Sequence, residues 1–498
     1  MLGGPSGEWT AAALLALLGG PADEWRHKVG VAGPADGSAK PTTRLLAAGG
    51  FVLKTRVDHA RDTPEAALAT FGQARVRGRS ARLWHPTKAW AAMRAGGQWY
   101  PLTACRELVT LRQLTGRPQR LAAWVEMLRV SADAWRFHGL GLDVNPANFA
   151  WEGSGSRLYY VDDELYERFD ARTVAGAIAG RFAEEPEITA AEWAAWAGEL
   201  YRALELTGFG WGHVAEELRL FPLTERWEGA RRALLGELEH APAARARGGR
   251  GGERVAVLAD VHANLPALEA VLSDARAQGA AAFLFLGDAV GYGPHPRECV
   301  ERLAELPQLV AVKGNHDHAV ASGELELGMN RLARASASWT RSTLSAAHLA
   351  WLEALPPEHD GEGWLAVHGA PRDPRRFLAY VYELSYEDNL AHLRARGRSL
   401  CFHGHTHVQE AHAETAVGPA RLSGARSYQP DPRRPWLVNP GSVGQPRDGD
   451  PRAAYALWNR KTGALAAVRV AYDVERTLVA LRAAALDPDL VDRLRAGR

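Results

Sequence analysis

The sequence predicts an α/β protein built from two domains, and three observations lead to this expectation. The chain has 498 residues, which exceeds the length of one ordinary domain. The stretch APAARARGGRGGE at 241–253 is rich in Pro, Gly and Arg and is typical of a flexible linker. After this stretch, short apolar runs alternate with segments of helical spacing. We therefore expect domains at 1–240 and 254–498.

The C-terminal half is expected to form an α/β sheet that becomes antiparallel towards its end. Apolar runs predict strands at 254–259, 283–286, 309–312, 364–367 and 400–402. Helical spacing predicts intervening helices at 266–278 and 296–306. Further apolar runs at 436–438, 453–458 and 464–470 follow without helices between them, which favours antiparallel pairing.

The N-terminal half predicts an α+β domain. Residues 51–55 are expected to form a strand, and 151 with 158–161 a short hairpin. Apolar residues at helical spacing predict helices at 119–137, 192–207 and 227–239. The apolar run at 11–18 is expected to be an ordinary helix, because it is short and lacks the positive flank of a signal peptide.

Composition favours a soluble cytoplasmic protein. The formal net charge is +1, so no global field attracts nucleic acid or an anionic membrane. Three isolated cysteines form neither a disulfide framework nor a CxxC zinc site, which favours a reducing compartment. No run reaches the ~20 apolar residues that cross a bilayer. The oligomeric state stays open.

Potential metal ligands follow five of the predicted strands in the C-terminal half. Functional groups of α/β sheets gather in the loops at the carboxyl ends of strands. We therefore expect these side chains to meet at one edge: Asp260 and His262, then Asp288, Asn315, His368, and last His405 with His407.

The mixture of donors in this set points to metal chemistry. Nitrogen and oxygen ligands without thiolate suit Mn, Fe, Zn or Ni. Two metals about 3.5–4 Å apart need a bridging ligand, and a carboxylate has two oxygens with which to bridge. Asp288 is our choice, because it lies centrally in chain order between two sets of donors. The adjacent glycines Gly287, Gly314, Gly369 and Gly404 are expected to permit close backbone approach.

The ordered pattern D-x-H, G-D, G-N-H-D, H-G and G-H-T-H resembles the calcineurin-like metallophosphoesterase superfamily. The similarity covers about residues 254–474. Within the superfamily, GDAVGYGPHP and NPGSVGQPRDGDPRAAY resemble the small phosphodiesterase branch called YfcE-like. The resemblance implies a four-layer αββα sandwich and a metal-dependent phosphoric ester hydrolase.

The resemblance also implies roles for individual residues. One metal would be held by Asp260, His262, Asp288 and His407, and the other by Asp288, Asn315, His368 and His405. The two divalent ions, with Mn as first choice, would activate a bridging hydroxide that attacks phosphorus. His316 would protonate the leaving oxygen as general acid, and Asp317 would orient His316.

The substrate is expected to be a small phosphorylated molecule or nucleotide. Protein-phosphatase-like members carry GDxxDRG at the second motif, whereas the segment after Gly287 and Asp288 lacks the Asp-Arg pair. This difference favours small phosphodiesters or phosphomonoesters. Arg447 lies in a Gly- and Pro-rich segment and is either a turn residue or a phosphate contact.

The N-terminal half shows a fainter resemblance to the protein-kinase-like fold, including its aminoglycoside-phosphotransferase branch. The pattern rests on Lys54 in a strand, on the spacing from Asp143 to Asn148, and on Asp162. By position, the resemblance implies that these four residues bind ATP and Mg²⁺. Glu65 is a candidate partner of Lys54. Gly141 stands in place of the HRD histidine, Asp162-Asp163-Glu164 replaces DFG, and the best candidate for a glycine-rich loop is 30–37.

Three hypotheses follow. The first is a metal-dependent phosphoesterase with an N-terminal kinase-like or regulatory domain. The second is a bifunctional kinase–phosphatase, which would bind Mg·ATP. The third is a non-catalytic binding module that keeps the sandwich but lacks metals, and a further alternative is a regulator that resembles protein phosphatases.

Overall fold

The computed structural model describes residues 26–27, 43–48, 50–152, 157–184, 188–205, 211–247, 254–325, 329–424 and 427–498. The helix predicted at 11–18 and the candidate glycine-rich loop at 30–37 lie outside these residues. The chain divides into two compact units. The N-terminal unit comprises Met1–Pro242 with Ala416–Gly418, and the C-terminal unit comprises Ala243–Thr415 with Pro419–Arg498.

The segment predicted as a linker begins as helix. A helix spans Glu225–Arg247, so residues 241–247 are its last turns and the prediction of a flexible linker from residue 241 was wrong. Six of these seven residues are Ala or Arg, both strong helix formers. Residues 248–253 lie outside the described part of the chain.

The described N-terminal unit combines two antiparallel sheets with helices. Its strands are β1 (Arg26–His27), β2 (Thr43–Ala48), β3 (Phe51–Arg56), β4 (Ala89–Ala95), β5 (Gln98–Arg106), β6 (Val109–Thr110), β7 (Phe149–Trp151) and β8 (Leu158–Tyr160). Its helices are α1 (Pro64–Ala69), α2 (Gly72–Ser80), α3 (Arg117–His138), α4 (Ala171–Glu184), α5 (Ala190–Glu205), α6 (Trp211–Leu220) and α7 (Glu225–Arg247). The first sheet has the order β1-β2-β3-β5-β4, and the second has the order β6-β7-β8.

The core of this unit forms mainly around its helices. Trp124 on α3 packs against Trp196 on α5, and Trp193 on the same helix packs against Phe182 on α4. These buried rings account for the helical periodicity seen in the sequence. The predicted hairpin is also present, because β7 and β8 pair antiparallel.

The C-terminal unit contains the strands and helices that the apolar runs predict. Its strands are β9 (Arg254–Leu258), β10 (Ala282–Phe285), β11 (Leu309–Ala311), β12 (Glu358–Asp360), β13 (Trp364–Val367), β14 (Leu400–Phe402), β15 (Gln409–Thr415), β16 (Gly418–Ser423), β17 (Ser427–Tyr428), β18 (Trp436–Pro440), β19 (Ala453–Asn459) and β20 (Leu465–Val470). Its helices are α8 (Leu265–Ala277), α9 (Pro296–Ala304), α10 (Asn315–Ser322), α11 (Arg331–Thr343), α12 (Ala346–Ala354), α13 (Tyr386–Ala395), α14 (Val474–Ala483) and α15 (Asp489–Ala496).

These strands form two sheets, whereas the strand pattern alone predicted one. The orders are β11-β10-β9-β19-β20-β17 and β12-β13-β14-β18-β15-β16. Strands β9 to β11 are parallel in the first sheet, as are β13, β14 and β18 in the second. The later strands β19 and β20 pair antiparallel, as predicted.

The two sheets pack face to face through aromatic side chains. Trp458 on β19 contacts Trp364 on β13 at 5.4 Å and Phe402 on β14 at 5.0 Å between ring centroids. Helix α8 packs on β19 of the first sheet, and α13 packs on β18 of the second. The layers are therefore helix, sheet, sheet and helix, as the family resemblance implied. Among the described residues, no helix is long and apolar enough to cross a membrane.

Candidate metal centre

All seven predicted ligands meet at the carboxyl ends of parallel strands in the C-terminal unit. They follow β9, β10 and β11 of one sheet and β13 and β14 of the other. Parallel neighbours end at the same edge of a sheet, so residues far apart in sequence come together. Six of the side chains are buried, and Asn315 is half-buried; the six are Asp260, His262, Asp288, His368, His405 and His407.

Five of the ligands hold left-handed backbone conformations. The positive φ angles are 53° at Asp260, 45° at His262, 59° at Asp288, 70° at His405 and 60° at His407. Such angles are uncommon for residues other than glycine, and each costs about 1–3 kcal/mol. Strain of this kind persists where the surrounding structure enforces it, and it concentrates at functional sites.

Asp288 lies at the centre of the ligand cluster. Its Oδ2 atom is 3.6 Å from Nε2 of His262 and 3.3 Å from Nε2 of His368. Its Oδ1 atom accepts a hydrogen bond of 2.8 Å from the backbone N–H of His316. Among the described residues, three clusters have ligand atoms within 4.8 Å of one another, and Asp288 belongs to two: Asp260-His262-His407, His262-Asp288-His316 and Asp288-His368-His405. This position suits a carboxylate shared between neighbouring sites.

The imidazole rings of His262 and His407 point their hydrogen-bond acceptor nitrogens at each other. Nδ1 of His262 lies 3.0 Å from the carbonyl oxygen of Val290, and Nδ1 of His407 lies 2.6 Å from that of Gln445. A carbonyl oxygen can only accept, so each Nδ1 carries the proton and each Nε2 of a neutral ring keeps its lone pair. The two Nε2 atoms are 3.1 Å apart. This contact is repulsive unless a cation or an added proton lies beside it.

A second group of acceptors converges on His368. Its Nδ1 atom donates to the carbonyl oxygen of Leu286 over 2.7 Å, which leaves the Nε2 lone pair free in the neutral ring. Nε2 lies 3.1 Å from Oδ1 of Asn315 and 3.0 Å from Nδ1 of His405. The donor set contains nitrogen and oxygen but no thiolate, so the residues present fit divalent cations.

The charges in the cluster are strongly coupled. Burial disfavours ionisation of Asp288, but His368 and His316 outweigh it and hold its pKa well below the usual range. Burial also opposes protonation of His368, yet Asp288 raises the pKa of His368 to about 9. Burial raises the pKa of Asp260 to about 7. In the absence of a metal ion, a proton on His368 therefore supplies positive charge beside Asp288. A bound cation would displace this proton.

The predicted close approach is confirmed at Gly287, Gly314 and Gly404, and at Gly369 a Cβ atom would lie 3.0 Å from the carbonyl oxygen of Ala379. A Cβ atom on Gly314 would lie 2.1 Å from Oδ1 of Asp288, and one on Gly404 would lie 2.9 Å from Oδ2 of Asp260. Gly287 has a φ of 91°, and a Cβ atom there would lie 2.5 Å from the backbone nitrogen of Gly314. Any larger residue would push the ligand loops apart.

Asp317 holds the loop after β10 and does not orient His316, so that prediction was wrong. Its Oδ1 atom accepts the backbone N–H of Ala289 at 2.8 Å. Its Oδ2 atom accepts those of Asp288 at 2.8 Å and Gly314 at 3.0 Å. Both oxygens are therefore used on backbone amides, and the carboxylate fixes the position of Asp288.

The ring of His316 lies beside the candidate metal ligands. Its ring contacts those of His262 at 4.9 Å and Tyr292 at 4.6 Å. Among the described residues, its buried Nδ1 has no hydrogen-bond partner, and neither does Nε of Arg447. The Arg447 guanidinium lies 5.8 Å from the ring centroid of Tyr292. Nδ1 of His316 faces Gly291, where a Cβ atom would lie 2.2 Å from it.

Comparison with known proteins identifies the family. A model of the calcineurin-like phosphoesterase superfamily domain matches residues 254–463. An uncharacterized protein of Methanocaldococcus jannaschii is 33% identical over 248 residues, which are 49% of this chain and 98% of that protein. The chain belongs to the calcineurin-like phosphoesterase superfamily.

Two solved structures are also similar to the phosphoesterase part of the chain. A metallophosphoesterase from Sphaerobacter thermophilus is 41% identical, with a TM-score of 0.43, and covers 49% of this chain and 99% of its own. Yfce, a phosphoesterase from E. coli, is 20% identical, with a TM-score of 0.25, and covers 44% of this chain and 100% of its own. The chain is a phosphoric ester hydrolase of a metal-dependent family.

Two aromatic residues lie beside the candidate metal ligands and were not predicted from the sequence. Tyr380 stacks on His405 with ring centroids 4.0 Å apart, and Phe377 lies 6.2 Å from His368. Both belong to the segment between the H-G motif at His368 and the fifth ligand strand, and no further ligand-type motif marks their positions. The aromatic character of Phe377 and Tyr380 is evident from the sequence, but no local sequence motif predicted that they lie beside the candidate metal ligands.

The four residues predicted to bind ATP and Mg²⁺ form two side-chain pairs in the N-terminal unit. Lys54 on β3 forms an ion pair with Asp162, and Nδ2 of Asn148 donates to Oδ2 of Asp143 over 2.8 Å. Helix α3 precedes Asp143, as predicted. The superfamily model starts at residue 254, so the kinase-like prediction for this unit stays a prediction.

Two residues of this charged cluster were missed, and one predicted pairing was wrong. Lys54 also pairs with Asp163 at 3.0 Å, and buried Lys88 pairs with Asp163 at 2.6 Å. Glu65 is exposed on α1 and is not the partner of Lys54. The sequence distance of 75 residues between Lys88 and Asp163 left no local signal.

Proposed function

We propose that the C-terminal unit hydrolyses small phosphodiesters or phosphomonoesters with two divalent cations that share Asp288. One cation would be held by Asp260, His262, Asp288 and His407, and the other by Asp288, Asn315, His368 and His405. The observation that carries this proposal is the convergence of acceptor atoms, above all the 3.1 Å between Nε2 of His262 and Nε2 of His407. A cation shared by these lone pairs removes their repulsion.

The cations would supply the nucleophile and neutralise charge. Bound divalent ions lower the pKa of water towards neutrality and stabilise the charge that develops on phosphoryl oxygens. Mn is our first choice, and Fe, Zn or Ni also suit nitrogen and oxygen donors. The protein holds the donors in strained but fixed positions, which limits reorganisation during the reaction.

His316 is proposed to protonate the leaving oxygen. Its ring lies with Asp288 and His262 in one group of potential ligand atoms, and its backbone N–H is fixed by Asp288. Burial lowers the pKa of His316 to about 4, although Asp288 opposes this effect. The ring is thus neutral at pH 7 before substrate binds, and an adjacent phosphate anion would raise its pKa and favour the protonated form.

Arg447 is proposed to bind a non-bridging oxygen of the substrate. Its Nε atom is buried and has no partner among the described residues, whereas one terminal nitrogen donates to Oε1 of Gln445 at 3.1 Å. A guanidinium held in this way can present parallel N–H groups to a phosphate. This role is the second of the two that the sequence left open for Arg447.

The test is hydrolysis of bis-p-nitrophenyl phosphate and p-nitrophenyl phosphate with added Mn²⁺. We expect Asp288→Asn to reduce turnover by roughly a thousandfold or more, because an amide cannot bridge two cations as a carboxylate does. Asp388→Asn is the matched control, since Asp388 is an exposed carboxylate of the same unit that pairs with Arg372. Unchanged turnover in the Asp288 variant would refute the shared-ligand role.

A further inference from the structure

Exposed apolar side chains concentrate in one short segment near the metal centre. Among the described residues, ten large apolar side chains are exposed, and four of them fall within 378–384. The four are Leu378 at 53% exposure, Tyr380 at 42%, Tyr382 at 50% and Leu384 at 86%. Scattered exposed apolar residues are normal, but a cluster of this density marks a contact surface.

This segment is held in place by its own contacts. Val381 is buried in a core cluster that includes Leu365 and Val367, and Phe377 is also buried. Asp373 accepts the backbone N–H of Leu378 at 3.1 Å. The hydroxyl of Ser385 donates to the carbonyl of Tyr380 at 2.6 Å and accepts the N–H of Tyr382 at 3.2 Å. The exposed side chains therefore stand on a backbone that is anchored by the buried side chains of Phe377 and Val381.

The exposed face is continuous with the metal centre. The ring of Tyr380 stacks on that of His405 with an interplanar angle of 26°. The carbonyl oxygen of Ala379 approaches Gly369 so closely that a Cβ atom there would lie 3.0 Å from it. One face of Tyr380 thus rests on a metal-ligand candidate, and the side chain is still 42% exposed.

We propose that Tyr380, flanked by Leu378 and Tyr382, binds a planar aromatic group of the substrate, such as a nucleobase, while the phosphodiester lies at the metal centre. This inference rests on the proposed function and specifies its substrate class. A tyrosine already stacked on one side offers its other face with little loss of conformational freedom, and stacking on a base tolerates different sequences of substrate. Arg447 lies on the polar side of the same cluster, where it would bind the phosphate.

The experiment compares two diesters that differ in the base alone. Thymidine 5′-(methyl phosphate) and the corresponding abasic 1,2-dideoxyribose 5′-(methyl phosphate) are incubated with the full chain and Mn²⁺, and products are measured by phosphorus NMR. For the unmodified protein we expect kcat/KM to favour the thymidine ester by roughly tenfold. Tyr380→Ala should bring the ratio of the two kcat/KM values close to one, whereas Tyr380→Phe should preserve it.

The controls separate this inference from the function on which it rests. Val479→Ala removes an exposed apolar side chain of the same unit from α14 and should change neither rate. A preference that persists in Tyr380→Ala, or equal rates in the unmodified protein, would overturn the inference. Turnover of bis-p-nitrophenyl phosphate without turnover of either ester would also overturn it. Failure to hydrolyse any of the three substrates would refute the proposed function itself. A dimer that dissociates on Tyr380→Ala while the preference persists would assign the surface to a second copy of the chain.

Discussion

Each of the two units brings two carboxylates close together with little exposure to solvent, and the units differ in how that charge is balanced. In the N-terminal unit, Asp162 and Asp163 meet the ammonium groups of Lys54 and Lys88. In the C-terminal unit, Asp260 and Asp288 meet imidazoles whose remaining lone pairs face one another. The first cluster contains two lysine cations, whereas the second has the proton on His368, which a bound cation would displace.

The N-terminal cluster is also well supplied with hydrogen bonds. Lys88 donates to the carbonyl of Asp162 at 3.1 Å, and Thr103 donates to Asp163 at 3.2 Å. Trp84 donates to the same carbonyl of Asp162 at 2.9 Å. Buried charges that are paired and hydrogen-bonded are stable without a metal. The difference between the clusters shows that buried carboxylates alone do not indicate a metal site; the state of the neighbouring nitrogens does.

Metal removal should have the largest effect, and it should destabilise the C-terminal unit but not the N-terminal unit. With a chelator we expect hydrolysis to be lost and to return on addition of Mn²⁺. Ligand at a hundredfold excess over its Kd stabilises the binding state by about 2.7 kcal/mol, so amides of β9 and β10 should exchange faster without metal. Amides of β3 and β8 should not change. Hydrogen exchange followed by mass spectrometry checks this, and equal acceleration in both units would break the contrast.

His316→Asn tests whether the C-terminal cluster includes a proton donor. General acid catalysis contributes about 10²–10⁴-fold, so turnover of methyl phosphodiesters should fall by at least roughly a hundredfold. Turnover of p-nitrophenyl esters should fall much less, because p-nitrophenolate leaves without help. The measurement is the ratio of kcat values for the two leaving groups. An equal loss for both would mean that His316 acts as a ligand, as its place in one metal-binding cluster allows.

Lys88→Met tests the self-neutralised cluster. Removal of one partner from a buried ion pair costs up to about 3–5 kcal/mol, and here Asp162 and Asp163 would be left to share the single ammonium group of Lys54. We expect exchange at β3 and β8 to accelerate and hydrolysis to persist. The double variant Lys88→Met with Asp163→Asn should recover part of the loss. Destabilisation that the second substitution does not relieve would point to lost packing against Trp84 instead of charge.

Acid should produce a smaller effect on the same cluster. Burial tends to raise the pKa of Asp163, but Lys54 and Lys88 outweigh it and lower the pKa below the ordinary value. The stability from this pairing is therefore present above the unfolded pKa of about 3.9 and is lost as pH falls through the lower folded pKa. In acid titrations, exchange at β8 should depend on pH less steeply for Asp163→Asn than for the unmodified chain. Equal slopes would contradict this assignment.

The candidate metal ligands could be predicted from sequence because each lies in a short motif at the end of an apolar run. Asp260 and His262 follow β9 directly, and His405 and His407 lie just beyond β14. Glycines in the same motifs predicted that the backbone of these loops lies close to neighbouring loops and ligand side chains, as the structure shows. Regular α/β connectivity then brings these strand ends to one edge. The fold of this unit was predictable for the same reason, apart from the division of its strands into two sheets.

Other features depend on contacts that sequence does not encode locally. Asp317 accepts the amides of Asp288 and Ala289, which lie 29 and 28 residues away. Tyr380 reaches His405 from a segment with no motif. The supposed linker failed for a different reason: its Ala and Arg residues favour helix, whereas its Pro and Gly residues suggested flexibility. The ATP and Mg²⁺ prediction for Lys54, Asp143, Asn148 and Asp162 is open to direct measurement of Mg·ATP binding.

The most direct test of the central claim is a calorimetric titration of metal-stripped protein with Mn²⁺. We predict saturable uptake of two ions per chain, because two groups of acceptor atoms converge on Asp288. Asp288→Asn should weaken both binding events, and the Asp388→Asn control should weaken neither. Saturable binding of two ions that Asp288→Asn leaves unchanged would contradict the shared carboxylate. Absence of saturable binding in the unmodified chain would contradict the claim that this cluster binds divalent cations.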